Sequence, residues 1–351
     1  MLGVAVLAAC DSPDDPTRVI APAMTTPPTE WATSTPTLTP PPTQTPTPMP
    51  TDTATPTETP TPTVTPAAPT SIPAQTTAPV PAPASPVAAP TEGLPPPPPT
   101  SMNGLPIESF IVMSDPVKQR VREIYAAGQA LGRNPRAFSK VGDSTIQIPY
   151  FMARFEGGEY NLGNFAYLQP IIDTYRGSFG RDGFAVRRAL HSWSIFNPAW
   201  ADKSACQPNE SPLACEFRVH NPSVLLMRLG SNDIIGASAF EKNLRDVVEY
   251  SIANGVIPVL GTKPDRFEGE DNRNNLAIRK LAAEYNVPLW DFDLLAETLP
   301  GRGLGSDGVH MTTYGPHDYT QAEAFQRGHT VHSLSALIVL DKIMRVTQGG
   351  E

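Results

Sequence analysis

Proline is spread so unevenly along this 351-residue chain that it divides the chain into two stretches with different folding prospects. Of 42 prolines, most lie before residue 101, in Thr-Pro repeats such as Thr45-Pro46-Thr47-Pro48 and in the unbroken run 95–99. Proline carries no backbone N–H, and the intervening threonines offer little apolar surface to bury. Residues 11–104 are therefore expected to form an extended linker without a core. At ~3 Å per residue, its roughly 75 most repetitive positions would reach on the order of 200 Å. Beyond 104 the composition turns globular, and 105–348 is of a size suited to one α/β domain.

Residues 1–9 are apolar and end in Leu7-Ala8-Ala9-Cys10, which resembles the lipobox of bacterial lipoproteins. The resemblance implies residues 1–10 as a signal remnant, lipidation at Cys10, and an extracytoplasmic protein held to a membrane by lipid. No Lys or Arg precedes the apolar run, so a basic segment is expected upstream of Met1. Elsewhere no stretch holds the ~18 apolar residues that span a bilayer. Cys206 and Cys215 flank a polar loop with no histidine in it, and a disulfide is the expected reading, two buried thiols the alternative. A net charge of −9 without a Lys/Arg stripe argues against a nucleic-acid partner.

Hydrophobic periodicity organises the globular part. Asp115-Pro116 followed by Val117, Val121 and Ile124 predicts a helix start. Residues 137–141 read as a first strand, 145–155 and 165–175 as helices, and 184–190 as a second, weaker strand. The apolar run 223–227 predicts a third strand covered on both faces. Helix 237–252, strand 256–260, helix 272–285, strand 287–290 and helix 330–344 continue the alternation. Such alternation implies a three-layer α/β/α fold, a doubly wound five-stranded parallel sheet in flavodoxin-like order. In such sheets ligands bind beyond the carboxyl ends of the strands, where strand order reverses.

Three short motifs follow those strands: Gly142-Asp143-Ser144, Gly230-Ser231-Asn232-Asp233, and Asp307-Gly308-Val309-His310. A serine hydroxyl needs a base before it attacks a carbonyl, a neutral imidazole is suited to that near pH 7, and a carboxylate three residues earlier can orient the ring. An asparagine amide can aim an N–H at a developing oxyanion without adding charge. Taken singly, each motif reads more simply as a helix cap, an Asx turn or a loop hydrogen-bond pair. Together and in this order, they resemble the SGNH, or GDSL, hydrolase superfamily over the globular part of the chain.

The resemblance implies that Ser144 is the nucleophile and, through its N–H, an oxyanion donor. It implies Asn232 as side-chain donor within the Gly230 turn, and Asp307 and His310 as orienting carboxylate and general base. The family's second block, a glycine after the second strand, is occupied here by Leu190-His191-Ser192-Trp193, with Ser192 as the positional match for its backbone donor. An ester substrate is expected, acylated polysaccharide being one candidate, with no organic cofactor. No metal is expected either, because Asp307, His310, His317 and Asp318 fit no ligand spacing. The departure in the second block also fits a surface binding module that keeps the fold without turnover. Arg228, inside an apolar strand, is expected either to pair with a buried carboxylate or to reach the cleft.

Overall fold

The computed structural model describes residues 97–234 and 236–350. Cys10 and positions 11–96 of the expected linker lie outside the described residues. A short hairpin pairs Ser101–Met102 with Leu105–Pro106 across the expected boundary at 105, and Met102 is buried.

In chain order the main elements are β1 (Ile111–Val112), α1 (Asp115–Ala130), β2 (Asn134–Gly142), α2 (Pro212–Val219), β3 (Pro222–Arg228), α3 (Ala237–Ala253), β4 (Ile257–Gly261), α4 (Arg273–Tyr285), β5 (Leu289–Trp290) and α5 (Gly328–Thr347). The five strands form one sheet in the order β1-β5-β4-β3-β2. Four of them run parallel, and only the β1/β5 edge is antiparallel. Every residue of β3 is buried, as a central strand covered on both faces requires. α1 packs with α5 and α3 with α4, giving helix, sheet and helix layers. α1 turns Val117, Val121 and Ile124 inward at helical spacing, whereas α5 is buried nearly all round.

Several expectations need correction. Residues 184–190 do not form a strand. That stretch touches β2 through one parallel bridge, Gly142 to Val186, in which Gly142 N–H donates to Ala185 O and Arg187 N–H to Gly142 O, each at 3.1 Å. The consecutive charges Arg187-Arg188 and a left-handed turn at Ala189 stop the pairing after one bridge. Residues 145–155 are not one helix either, because Pro149 has no N–H to donate within it. A 3-10 turn at Ser144–Ile146 and a five-residue helix at Ala153–Gly157 stand in its place. The sheet's fifth strand is instead β1, a two-residue element too short to carry a periodic signal. The expected reversal of strand order survives in weaker form: β2 has β3 on one side and the bridged segment on the other.

Candidate active site

The carboxyl ends of the parallel strands finish in one aligned row, Gly142 of β2 beside Arg228 of β3 beside Gly261 of β4. Glycine at Gly142 is required by space. A Cβ there would lie 2.3 Å from Arg228 O and 2.6 Å from Ile146 Cδ1. The chain then turns sharply, and Asp143 caps the 3-10 turn by accepting hydrogen bonds from Thr145 N–H (2.9 Å) and Thr145 Oγ1 (2.7 Å). This turn brings Ser144 to the end of the strand, partly exposed while its neighbours Asp143 and Thr145 are buried.

Asp307 and His310 come from a tight loop closed by pairing of Leu304 with Met311 and by a hydrogen bond from Gly305 N–H to His310 O (2.7 Å). Asp307 Oδ1 accepts the N–H groups of Val309 (3.0 Å) and His310 (2.9 Å), and Oδ2 lies 2.7 Å from His310 Nδ1. The ring's other nitrogen, Nε2, lies 2.9 Å from Ser144 Oγ. A carboxylate can only accept, so the pairing assigns the proton to Nδ1 and leaves Nε2 to accept the serine hydroxyl. The hydrogen bonds from Val309 N–H, then from the ring and N–H of His310, hold the Asp307 carboxyl down to about 2. Both side chains of this pair are about half exposed, 50% for His310 and 54% for Asp307. With that exposure, Ser144 and this pair stand on an open shelf among the described residues, and cavities of about 480 and 510 Å³ lie elsewhere, against residues 98–108 and 322–326.

The expected oxyanion donors are arranged differently from one another. Asn232 reaches the site, but its Nδ2 donates to Asp143 Oδ2 (3.3 Å) and to Leu190 O (3.2 Å). Gly230 adopts φ +114°, a conformation that favours glycine, and its carbonyl accepts from Asn274 Nδ2 (3.0 Å) and Asp233 N–H (3.2 Å). Ser192 is a correction: its N–H donates to the Asp233 carboxylate (3.1 and 3.2 Å) and its Oγ to Oδ1 of the same group (2.7 Å). A buried N–H held by a carboxylate is not free to receive an oxyanion. The residue whose backbone resembles a glycine's is Ala189, at φ +58° in the turn after the bridged segment. Nothing in its side chain signals this, since alanine has no particular preference for that conformation.

Beneath this shelf lies a buried charge cluster. Arg228 is fully buried, its nearest carboxylate is Asp265 at 3.9 Å, and none of its three guanidinium nitrogens has a hydrogen-bond partner among the described residues. It pairs with a buried carboxylate, one of the two alternatives drawn from the sequence, at a long distance. Asp265 also accepts from Ser231 Oγ (2.8 Å) and Lys263 Nζ (2.8 Å), and Lys263 binds Glu268 as well. Burial opposes ionisation of Asp265, but Lys263 and then Arg228 hold its carboxyl low. Asp143 goes the other way, with burial pushing its carboxyl up against the opposing pull of Arg228 and Thr145.

Cys206 and Cys215 are joined in a disulfide, Cα–Cα 5.3 Å, that ties the preceding loop to α2. Among the described residues, the group that brings three metal-ligating atoms together is Cys206, Glu210 and Cys215, and its two sulfurs are consumed by that bond. His317 sits apart from His310, buried against Phe155 and Tyr319. Among the described residues no helix is long and apolar enough to cross a membrane.

No protein-family model matches the sequence, and no curated protein does. The chain is similar to several solved structures. One is a G-D-S-L family protein from Desulfitobacterium hafniense DCB-2, 14% identical, with 58% of this chain and 98% of that one covered and a TM-score of 0.36. Another is a psychrotrophic esterase from Pseudoalteromonas sp., 14% identical over 60% of this chain and 99% of that one, TM-score 0.38. A third is a variant of an acetyl xylan esterase from Geobacillus stearothermophilus, 17% identical over 58% and 94%, TM-score 0.35. The chemistry open to this site rests on its own geometry, in which Ser144, His310 and Asp307 stand in one hydrogen-bonded line at the end of β2.

Proposed function

We propose that the folded unit is a serine ester hydrolase of the SGNH type working through an acyl-enzyme. The observation that carries this reading is the unbroken relay from Ser144 Oγ to His310 Nε2 (2.9 Å) and from His310 Nδ1 to Asp307 (2.7 Å). As Ser144 Oγ bonds to the ester carbon, its proton passes to Nε2. Asp307 holds the ring in the required tautomer and stabilises the imidazolium. The tetrahedral intermediate collapses by breaking the bond to the alcohol oxygen, which leaves with the proton from Nε2. Water then attacks the acyl-serine, giving its proton to Nε2, and release of the acid returns the proton to Ser144. Ser144 N–H and Asn232 Nδ2 are the donors proposed for the oxyanion, the latter by exchanging one of its two long hydrogen bonds.

Within this reading, the substrate is an O-acyl ester on an envelope or environmental polysaccharide, met outside the cytoplasm by a unit anchored through lipidated Cys10 on the Pro/Thr linker 11–104. An open shelf supports a bulky substrate, since the His310 and Asp307 side chains are about half exposed. The test is hydrolysis of p-nitrophenyl acetate: wild-type protein turns it over, and Ser144→Ala loses ~10³-fold or more in kcat. Equal rates in the two proteins would overturn the proposal.

One observation favours a second reading, a surface binding module without turnover. The N–H of Ser192 is held by Asp233, and both amide hydrogens of Asn232 are engaged within the protein. Folded wild-type protein that leaves every ester intact would support that reading.

A further inference from the structure

Four of the loops that follow strand ends on the Ser144 side carry exposed large apolar side chains: Tyr150 (52% exposed) after β2, Trp193 (48%) after the bridged segment, Ile234 (40%) after β3 and Phe267 (59%) after β4. Among them Trp193 is the most thoroughly fixed. Its ring stacks on His191 at 6.0 Å and 23°, and meets Trp200 edge to face at 5.4 Å, while Arg187 lies over Trp200 at 5.1 Å. The backbone beneath it is tied to the candidate catalytic turn. Leu190 O accepts from Asn232, and Ser192 binds Asp233 through both N–H and Oγ. Trp193 lies three positions beyond Leu190, at most ~11 Å of chain. A half-exposed indole is thus held in one orientation within a short reach of the donors proposed for the oxyanion.

From this arrangement we infer that Trp193, backed by His191 and Trp200, is the floor of a subsite that holds a pyranose ring of the carbohydrate whose O-acyl group is offered to Ser144. The inference rests on the esterase reading and names its substrate class. A pyranose presents a face of C–H bonds whose partial positive charge suits the negative face of an aromatic ring, and its rim of hydroxyls needs polar partners. His191 beside the indole and Arg187 over the neighbouring Trp200 supply such partners, and the Tyr150 hydroxyl is a further one on the loop that follows Ser144. A net charge of −9 opposes docking of this face on an anionic membrane.

The experiment compares kcat/KM on O-acetylated xylo- and manno-oligosaccharides with kcat/KM on p-nitrophenyl acetate in the full chain. In Trp193→Ala the ratio of the two falls ~10-fold or more, mostly through KM, while Trp193→Phe keeps most of it. An unchanged ratio in Trp193→Ala overturns the subsite and leaves the esterase reading standing. So does loss of flotation with phosphatidylcholine vesicles in Trp193→Ala without a change in the ratio, which would assign the indole to a membrane surface. Wild-type protein that hydrolyses neither class of ester removes the esterase reading itself, and the subsite with it.

Discussion

At the scale of single residues, the His310–Asp307 pair sets the expected pH behaviour. The Asp307 carboxyl is held down to about 2, so it stays ionised across the range in which histidines change charge. A protonated imidazole cannot take the proton of Ser144, so activity is expected to be lost in acid; a rate independent of pH would exclude a histidine base. Asp307→Asn is expected to lower kcat by ~10³–10⁴-fold by favouring the wrong tautomer, with little change in unfolding midpoint at so exposed a position. Arg228 makes a different point. A guanidinium that is fully buried and without hydrogen-bond partners among the described residues costs desolvation that carboxylates no nearer than 3.9 Å repay poorly. Arg228→Met, which keeps most of the volume, is expected to destabilise by about 2 kcal/mol less than Arg228→Ala, read as midpoints in urea. Equal losses would mean that the charge, and not the packing, is what this position contributes.

At the scale of elements, the site depends on how closely β2 approaches β3. A methyl group at Gly142 would stand 2.3 Å from a backbone oxygen of β3, so one of the two strands must shift. Gly142→Ala is expected to cost ~1–3 kcal/mol and to lower the rate on p-nitrophenyl acetate, because Ser144 sits two residues further on. Unaltered stability and rate would show that the strand ends are slack. The same elements show what the sequence made legible. β3 and α3 were readable because burial on both faces, or along one stripe, writes a continuous or a helical apolar pattern. The segment after β2 was not, because it gains only Ala185 and Val186 as buried residues before two arginines end it. β1 escaped notice because two residues carry no period. The candidate nucleophile, base and orienting carboxylate were visible as short motifs at turns, where the chemistry of a few side chains outweighs periodicity, and the structure sets these three side chains within hydrogen-bond distance of one another. The engaged N–H of Ser192 and the left-handed backbone at Ala189 depend on contacts and dihedral angles that residue identity does not encode.

At the scale of the whole molecule, three buried histidines near the site link the fold to acid. Burial drives the His317 and His329 rings down to about 4 and takes His332 well below its ordinary value. His332 is enclosed by Trp290, Phe151 and Phe292. Unfolding frees these rings to bind protons, so between about pH 6.5 and 4 the unfolded state holds more protons than the folded one and stability is lost as the pH falls. The unfolding free energy read from urea titrations is expected to drop by on the order of a few kcal/mol as pH falls through that window, and a urea midpoint that rose with acid would contradict the buried neutral rings. The same packing brings together a hydroxyl and an imidazole that lie 166 positions apart in the chain. A fluorophosphonate reads that convergence directly, since it bonds covalently to a serine oxygen whose proton a neighbouring base removes. Peptide mass spectrometry after incubation is expected to find the adduct on Ser144 in the wild-type chain, with labelling abolished in His310→Ala. An adduct on another residue, or Ser144 labelled equally fast without His310, would contradict it.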